Sequence, residues 1–281
     1  MRADQWLVER GLAASRSQAQ RLIASGARWR VPRAAAQRAD DGWRPLAKAD
    51  DLPATAEVEL ASAAESRYVS RGGLKLEAIL AASGVTVTGR DCLDVGQSTG
   101  GFTDALLQAG AAHVLGIDVG HGQLHPRLRE DPRVDCVEGC NARHLTPDLI
   151  AVRGDIQGKK SQKHPKNQAN NDLSAGFSLV VGDLSFISLT LVLPALAPLL
   201  AAGGDLLMLV KPQFELQSTQ LGKGGIVRDA TLFSGVRERI ETAVRQTELH
   251  VAGWYDSPIS GGDGNREFFI HGRKPLTVTP T

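Results

Sequence analysis

The sequence predicts an α/β fold: a doubly wound, mostly parallel sheet preceded by a small α+β domain. Apolar runs with the length of buried strands alternate with helical stretches over about 200 residues. A glycine-rich loop joins the first of these runs to a helix, a position typical of nucleotide-binding loops. The first 60 residues have a shorter pattern of their own, and 281 residues are enough for one large and one small domain.

The amino-terminal pattern is that of two short helices and a little sheet. "ADQWLVERG" predicts a first helix that ends at Gly11, and "SRSQAQRLIASG" predicts a second that ends at Gly26. The alternation in "AEVEL", residues 56–60, predicts a closing strand. We therefore expect a domain over residues 1–60, a small and polar interdomain linker over 61–73, and a second domain over 74–275.

Basic residues are concentrated in the first domain, although the whole chain has a net charge of only +1. Residues 1–38 contain eight arginines against Asp4 and Glu9. A local basic cluster indicates a phosphate-binding module, although an ordinary solvated face is the commoner meaning. Arg16, Gln20 and Arg21 fall near the start of the second helix, where side chains and backbone N–H groups together can hold phosphates.

The second domain contains seven predicted strands and four predicted helices. The strands are expected at 91–95, 113–118, 134–137, 177–183, 205–210, 249–255 and 266–271. The helices are expected in "LKLEAILAASG", which carries Lys75, and at 102–108, 189–200 and 231–247. Residues 154–175 interrupt this alternation with lysines and amides and contain almost no apolar residue, which predicts a disordered surface insertion.

The glycine-rich loop is "DVGQSTGGF", Asp94 to Phe102. It matches neither common nucleotide loop: Phe102 stands where a Walker loop has its lysine, and Ser98 where a dinucleotide loop has its second glycine. Asp118, at the end of the next strand, is placed to bind the two hydroxyls of a ribose. A nucleoside cofactor without pyrophosphate is thus indicated, and S-adenosylmethionine is the common one. A tight turn without a ligand is the plainer alternative.

Charged residues lie at further strand ends. Asp183 ends the fourth strand, Lys211 ends the fifth after five apolar residues, Glu267 starts the last, and Lys75 lies on the helix before the first. A lysine in such surroundings needs a carboxylate partner or a lowered pKa. Each of these residues taken alone is more often part of a structural ion pair than of an active site.

Several classes of protein are disfavoured by the sequence. Cys136, Cys140 and His144 have a helical spacing, but a structural zinc site needs a fourth ligand and none is in evidence, so we expect no metal. No apolar run approaches the roughly 20 residues of a membrane helix. The first residues have no signal-peptide core, and three cysteines form no disulfide pattern. We expect a cytoplasmic protein with no membrane partner.

Many of these segments together resemble one family. They are "RGLAASRSQAQRLI", "SRGGLKL", "DVGQSTGGFTDALLQAGAAHVLGIDVGHGQL", "DPRV", "NARHL", "DLSFISL", "LVKPQFE" and "GNREFF". In this order they are similar to the TlyA, or hemolysin-A-like, family of ribosomal RNA 2'-O-methyltransferases. The resemblance covers almost the whole chain. It implies an αL-type RNA-binding domain of the ribosomal S4 kind, followed by an FtsJ-like class I (Rossmann-like) methyltransferase domain.

The resemblance also implies the site. A Lys-Asp-Lys-Glu tetrad would be formed by Lys75, Asp183, Lys211 and Glu267. Together with the loop argument, the expected S-adenosylmethionine-binding residues are Asp94, Gly96, Gln97, Ser98, Thr99, Gly100, Gly101, Asp118, Asn141 and Asp183. The expected RNA-binding residues are Arg2, Arg16, Gln20, Arg21, Arg28 and Arg71. The implied partner is ribosomal RNA within ribosomal subunits, modified on cytidine, and not DNA.

A ribose 2'-hydroxyl is a poor nucleophile until its proton is drawn away, which is the task such a cluster would perform. Lys211 could act there as a base or as an electrostatic stabiliser, and the sequence does not separate the two. Gln97 stands where the family has a small residue, so it either crowds the loop or adds a hydrogen bond. The alternatives are an RNA-binding assembly factor without activity and, with little support, the membrane-lytic role in the family's older name.

Overall fold

In the computed structural model of the protein, the described residues are 1–13, 15–24, 26–32, 42–60, 67–149 and 176–276. They divide into two units, one formed by Met1–Leu74 and one that begins at Lys75. The predicted insertion over 154–175 and the first part of the predicted linker, 61–66, lie outside the described residues. In the described part of the chain, no helix combines the length and the apolar character needed to cross a bilayer.

The first unit consists of two helices and a three-stranded antiparallel sheet, as predicted. The helices are α1, Ala3–Glu9, and α2, Arg16–Ala24, and the strands are β1, Arg28–Arg30, β2, Arg44–Pro45, and β3, Glu57–Glu59, in the order β2-β1-β3. Trp6, Leu7, Leu22 and Trp29 share its small apolar core. The helix predicted to end at Gly11 does so with a φ of 70° at that glycine, which other residues rarely adopt.

A seven-stranded sheet organises the second unit. Its strands are β4, Asp91–Val95, β5, His113–Ile117, β6, Val134–Val137, β7, Phe177–Gly182, β8, Leu200–Val210, β9, His250–Asp256, and β10, Phe268–Arg273. Their order is β6-β5-β4-β7-β8-β10-β9, and all pairs are parallel except those of β10. The predicted doubly wound, mostly parallel sheet is confirmed.

Helices cover the sheet between these strands. They are α3, Gly72–Ser83, α4, Gly101–Gln108, α5, Pro126–Arg129, α6, Leu193–Leu196, α7, Pro212–Glu215, and α8, Leu232–Gln246. The middle strands are almost entirely apolar and buried, since a parallel sheet has both faces covered. The strand order reverses between β4 and β7, and such a switch point is where open α/β sheets bind ligands.

Three predicted boundaries were wrong, and one of them is the start of β8, which lies at Leu200 rather than at residue 205. The helix predicted over 189–200 is divided into a 3-10 turn at Leu189–Leu191, the short α6, and a second 3-10 turn at Ala197–Leu199. Pro194 and Pro198 lack the N–H groups that a continuous helix needs, so the predicted helix is interrupted. Separately, α3 begins at Gly72, inside the range predicted as a linker.

Candidate active site

The carboxyl ends of β4, β5 and β7 border a cavity of about 490 Å³, a volume suited to a small-molecule ligand. Five of the predicted cofactor-binding residues line it: Gly96, Ser98, Asp118, Asn141 and Asp183. They belong to the segments that follow four different strands. These segments are far apart in the sequence. The sheet therefore brings these five predicted residues to one place.

Gly96 is required by the close approach of two strand ends. Its φ is 84°, and a Cβ atom there would lie 2.5 Å from the carbonyl oxygen of Asp183. The N–H groups of Gly96 and Gln97 both donate to the carbonyl oxygen of Ile117, at the end of β5. The first turn of the loop is thus fixed to β5 and lies directly against the segment that follows β7.

Asp118 holds the next turn of the loop. Its carboxylate accepts the N–H of Ser98 at 2.7 Å and the N–H of Gly120 at 2.7 Å. Ser98, which has a φ of 48°, also donates its hydroxyl to Gln123, another cavity residue. Each carboxylate oxygen of Asp118 retains a second lone pair, so it can also accept from ligand hydroxyls.

Gln97 points into the protein interior and is not among the residues that line the cavity. Its amide donates to the hydroxyl of Thr103, and that hydroxyl donates to Asp94. A Cβ atom on Gly116 would lie 1.9 Å from the Gln97 side chain, so the amide occupies space that a glycine in β5 leaves free. Of the two expected effects of Gln97, the structure has the added hydrogen bond.

Asp94 is buried beneath the same loop. Burial raises the pKa of its carboxyl group to about 7, although the hydrogen bonds from Thr103 act in the opposite direction and lower it. Three further predicted cofactor residues, Thr99, Gly100 and Gly101, do not line the cavity either. Gly100 has a φ of 92° and Gly101 begins α4, so the loop needs them to turn into that helix.

The four residues of the predicted tetrad form two ion pairs. Lys75 pairs with Glu267, and both side chains are almost completely buried. The Nζ atom of Lys211 lies 2.5 Å from Oδ1 of Asp183 and donates a hydrogen bond of 2.9 Å to Ser185. The second pair is the more exposed one, with 12% and 26% of its side chains accessible.

Strand register explains why the two pairs are neighbours. Phe268 lies opposite Val210 in the β8–β10 ladder, so the residues next to them, Glu267 and Lys211, come to the same edge. Burial raises the pKa of Glu267, the charge of Lys75 opposes that increase, and Asp183 and Lys211 act on it more weakly. The four side chains therefore form one electrostatically connected cluster beside the cavity.

Sequence reasoning did not single out Phe186, which lines the cavity and is 91% exposed. Its φ of 63° is unusual for an aromatic residue, and its ring lies 5.1 Å from that of Phe214. An aromatic residue shortly after a strand-end aspartate was the available signal.

Asn265 was also missed. It is buried, accepts the N–H of Val227 and donates to Gly225, and these bonds fix a loop close to Glu267.

Four of the predicted RNA-binding residues of the first unit have carboxylate partners. Arg2, Arg16 and Gln20 all donate to the buried carboxylate of Asp4. Arg28 pairs with Glu59 at 2.7 Å.

The other two predicted RNA-binding residues are Arg21 and Arg71. The side chain of Arg21 lies outside what the structure describes. Arg71 is partly buried just before α3.

Among the described residues, no group of three or more histidine, cysteine or acidic side chains is placed to hold a metal ion.

The chain matches two known families, one in each of its two units. Residues 68–274 match the FtsJ-like methyltransferase family, and residues 1–27 match the S4 domain. The chain is therefore a methyltransferase of the FtsJ-like class with an S4 domain before it.

Within that class, the chain belongs to the TlyA, or hemolysin A, family. It is 42% identical over 96% of its length to the 16S/23S rRNA (cytidine-2'-O)-methyltransferase TlyA of Mycobacterium tuberculosis, covering 88% of that protein. It is 32% identical over 96% of its length to Hemolysin A of Brachyspira hyodysenteriae, covering 99% of that protein. A solved Streptococcus thermophilus structure that carries the name hemolysin is 35% identical, with a TM-score of 0.69 over 100% of this chain and 92% of that one.

Proposed function

We propose that the protein is an S-adenosylmethionine-dependent methyltransferase that modifies a cytidine 2'-hydroxyl of ribosomal RNA. The observation that carries this proposal is the cluster of Lys75, Asp183, Lys211 and Glu267, of which Asp183 lines a cavity bordered by a glycine-rich loop. The activity in the name of the Mycobacterium tuberculosis relative supports the same substrate class.

The cavity fits S-adenosylmethionine. Asp118 can accept the ribose hydroxyls, Gly96 and Ser98 offer backbone close to the ligand, and Asn141 and Asp183 supply polar groups on the other side. When bound, the cofactor supplies a methyl group on a positively charged sulfur atom. A carboxylate at the edge of the cavity suits that charge better than a phosphate-binding loop would.

Lys211 acts on the substrate hydroxyl in this proposal. Its side chain is the more accessible of the two lysines in the cluster, and its ammonium group is held by Asp183 and Ser185. From this position the ammonium group orients the 2'-hydroxyl and stabilises the negative charge that develops on its oxygen as the hydroxyl proton leaves to solvent. The buried pair of Lys75 and Glu267 lies behind it and positions the charges of the cluster.

Phe186 receives the target base in this proposal. A large, exposed ring at the cavity can stack on a nucleobase, as aromatic side chains do in single-stranded RNA recognition. The first unit binds RNA through Arg2 and Arg16, whose side chains are about half exposed.

The test is methyl transfer to ribosomal subunits isolated from cells that lack the protein. Purified protein and radiolabelled S-adenosylmethionine are expected to add a 2'-O-methyl group to a cytidine, located by mapping the modified positions. Binding to subunits without transfer would instead indicate an inactive assembly factor. Label that accumulates on a base rather than on a ribose would overturn the proposed reaction.

A further inference from the structure

Asp4 lies at the centre of a basic face of the first unit, which is formed by Arg2, Arg16 and Gln20. Its side chain is fully buried, and its Oδ1 atom accepts the Nε–H of Arg2 at 3.2 Å. The Oδ2 atom accepts hydrogen bonds from Arg2 at 3.3 Å, from Arg16 at 3.2 Å and from Gln20 at 3.1 Å. One carboxylate of α1 thus holds three donors, of which two come from α2.

The charges of this cluster are unequal in exposure. The side chain of Asp4 is inaccessible, whereas 48% of Arg2 and 56% of Arg16 remain accessible. Burial opposes ionisation of Asp4, but the hydrogen bonds from Arg2, Gln20 and Arg16 outweigh it and hold the pKa of the carboxyl group below its usual range. The carboxylate therefore stays ionised, and about half of each arginine side chain remains exposed beside it.

We propose that Asp4 is a positioning residue for RNA binding: it orders Arg2, Arg16 and Gln20 before RNA arrives. This inference rests on the proposed RNA-binding role of that face. Arginine side chains lose rotational freedom when they contact phosphate, and a side chain already held in place loses less. The fixed carboxylate thereby increases affinity, although its own charge repels phosphate.

The two effects of Asp4 predict opposite results for Asp4→Asn. Removing one negative charge raises the net charge of the unit, so charge alone predicts tighter RNA binding. Loss of positioning predicts weaker binding, which we expect to be about tenfold on deproteinised ribosomal RNA. The matched control is Glu9→Gln, because Glu9 is an exposed carboxylate at the end of the same helix. That control is expected to bind as tightly as the unchanged protein, or slightly more tightly.

The experiment measures the dissociation constant for ribosomal RNA over a range of salt concentrations, with full-length variants. Thermal unfolding shows whether Asp4→Asn still folds. Arg16→Lys is a second variant at an exposed position: it keeps the charge but loses the planar group that Asp4 orients, and weaker binding is again expected. Wild-type affinity in Arg16→Lys would overturn the inference even if Asp4→Asn did not fold.

Arg16→Ala separates this inference from the proposed function. If Arg16→Ala binds RNA as well as the unchanged protein, Arg16 does not contact RNA and the inference fails, whereas the proposed methyl transfer stands or falls with the separate assay on ribosomal subunits. If Arg16→Ala binds weakly while folded Asp4→Asn binds equally or more tightly, only the positioning role of Asp4 is overturned. Weaker binding in both, with Glu9→Gln unaffected, supports the inference.

Discussion

Lys211 and Asp183 form an ion pair of 2.5 Å between the ends of two neighbouring parallel strands, β8 and β7. The second pair of the cluster, Lys75 with Glu267, is much more deeply buried. In the function proposed above, this difference in exposure gives different tasks to two pairs that each consist of a lysine and an acidic residue. The open pair can reach a substrate, whereas the closed pair can act only through its neighbours.

The buried pair gives a prediction about stability. Lys75→Met leaves the carboxylate of Glu267 buried without its partner, which we expect to lower the free energy of unfolding by about 3–5 kcal/mol. The double variant Lys75→Met/Glu267→Leu removes both charges and should regain most of that stability, measured by urea unfolding. Neither variant should catalyse methyl transfer. Activity in the stable double variant would reduce this pair to a structural role.

Gln97 and Gly116 give a prediction about the loop. Gly116→Ala places a Cβ atom against the Gln97 amide, which we expect to cost about 1–3 kcal/mol of unfolding free energy and to weaken S-adenosylmethionine binding. Adding Gln97→Ala removes the collision, so stability should partly return. Gly235→Ala is the matched control: nothing lies within 4 Å of its Cβ position in α8, and a neutral or slightly stabilising effect is expected. Equal losses in both glycine variants would contradict the packing described here.

Asp94 gives a prediction about pH. Its pKa is raised in the folded state to about 7, so the folded protein binds this proton more tightly than the unfolded chain does. The tighter binding of this proton therefore stabilises the folded protein fully below about pH 4. This stabilisation declines as the pH rises towards 7, by up to about 4 kcal/mol. Asp94→Asn resembles the protonated side chain. The stability of the unchanged protein relative to this variant should fall across that pH range, and a constant difference would contradict the prediction.

Phe186 gives a prediction about the substrate. Phe186→Ala should lower kcat/KM for ribosomal RNA by about tenfold or more, because a stacked base is worth about 1–3 kcal/mol. Phe186→Trp keeps an aromatic face and should retain most of the activity. Equal activity of the alanine and tryptophan variants on isolated subunits would show that no base stacks there.

The large-scale fold could be predicted because buried parallel strands have a clear apolar signature. All seven strands of the large sheet were expected, six of them within two residues and β8 with a start five residues too late, and the glycine loop, Asp118 and Lys211 follow strand ends. The helix over 189–200 was mispredicted because its apolar pattern outweighed Pro194 and Pro198.

Side-chain direction could not be predicted from the sequence. Gln97 lies in a ligand-binding loop but points to Thr103, since Gly116 on another strand leaves space for it. The grouping of arginines around Asp4 depends in the same way on contacts between helices. Motifs identify which residues gather at a site, and only the packing of distant segments decides which of them face a ligand.

The most direct test of the account is methyl transfer by Lys211→Ala, measured with radiolabelled S-adenosylmethionine on ribosomal subunits, beside cofactor binding by the same protein. We expect transfer to fall by at least about a hundredfold, as for the loss of a positioned acid–base group, while cofactor affinity changes little. Lys223→Ala, an exposed lysine outside the cluster, is the control for charge. Transfer at the wild-type rate by Lys211→Ala would contradict the proposed catalytic role of the cluster.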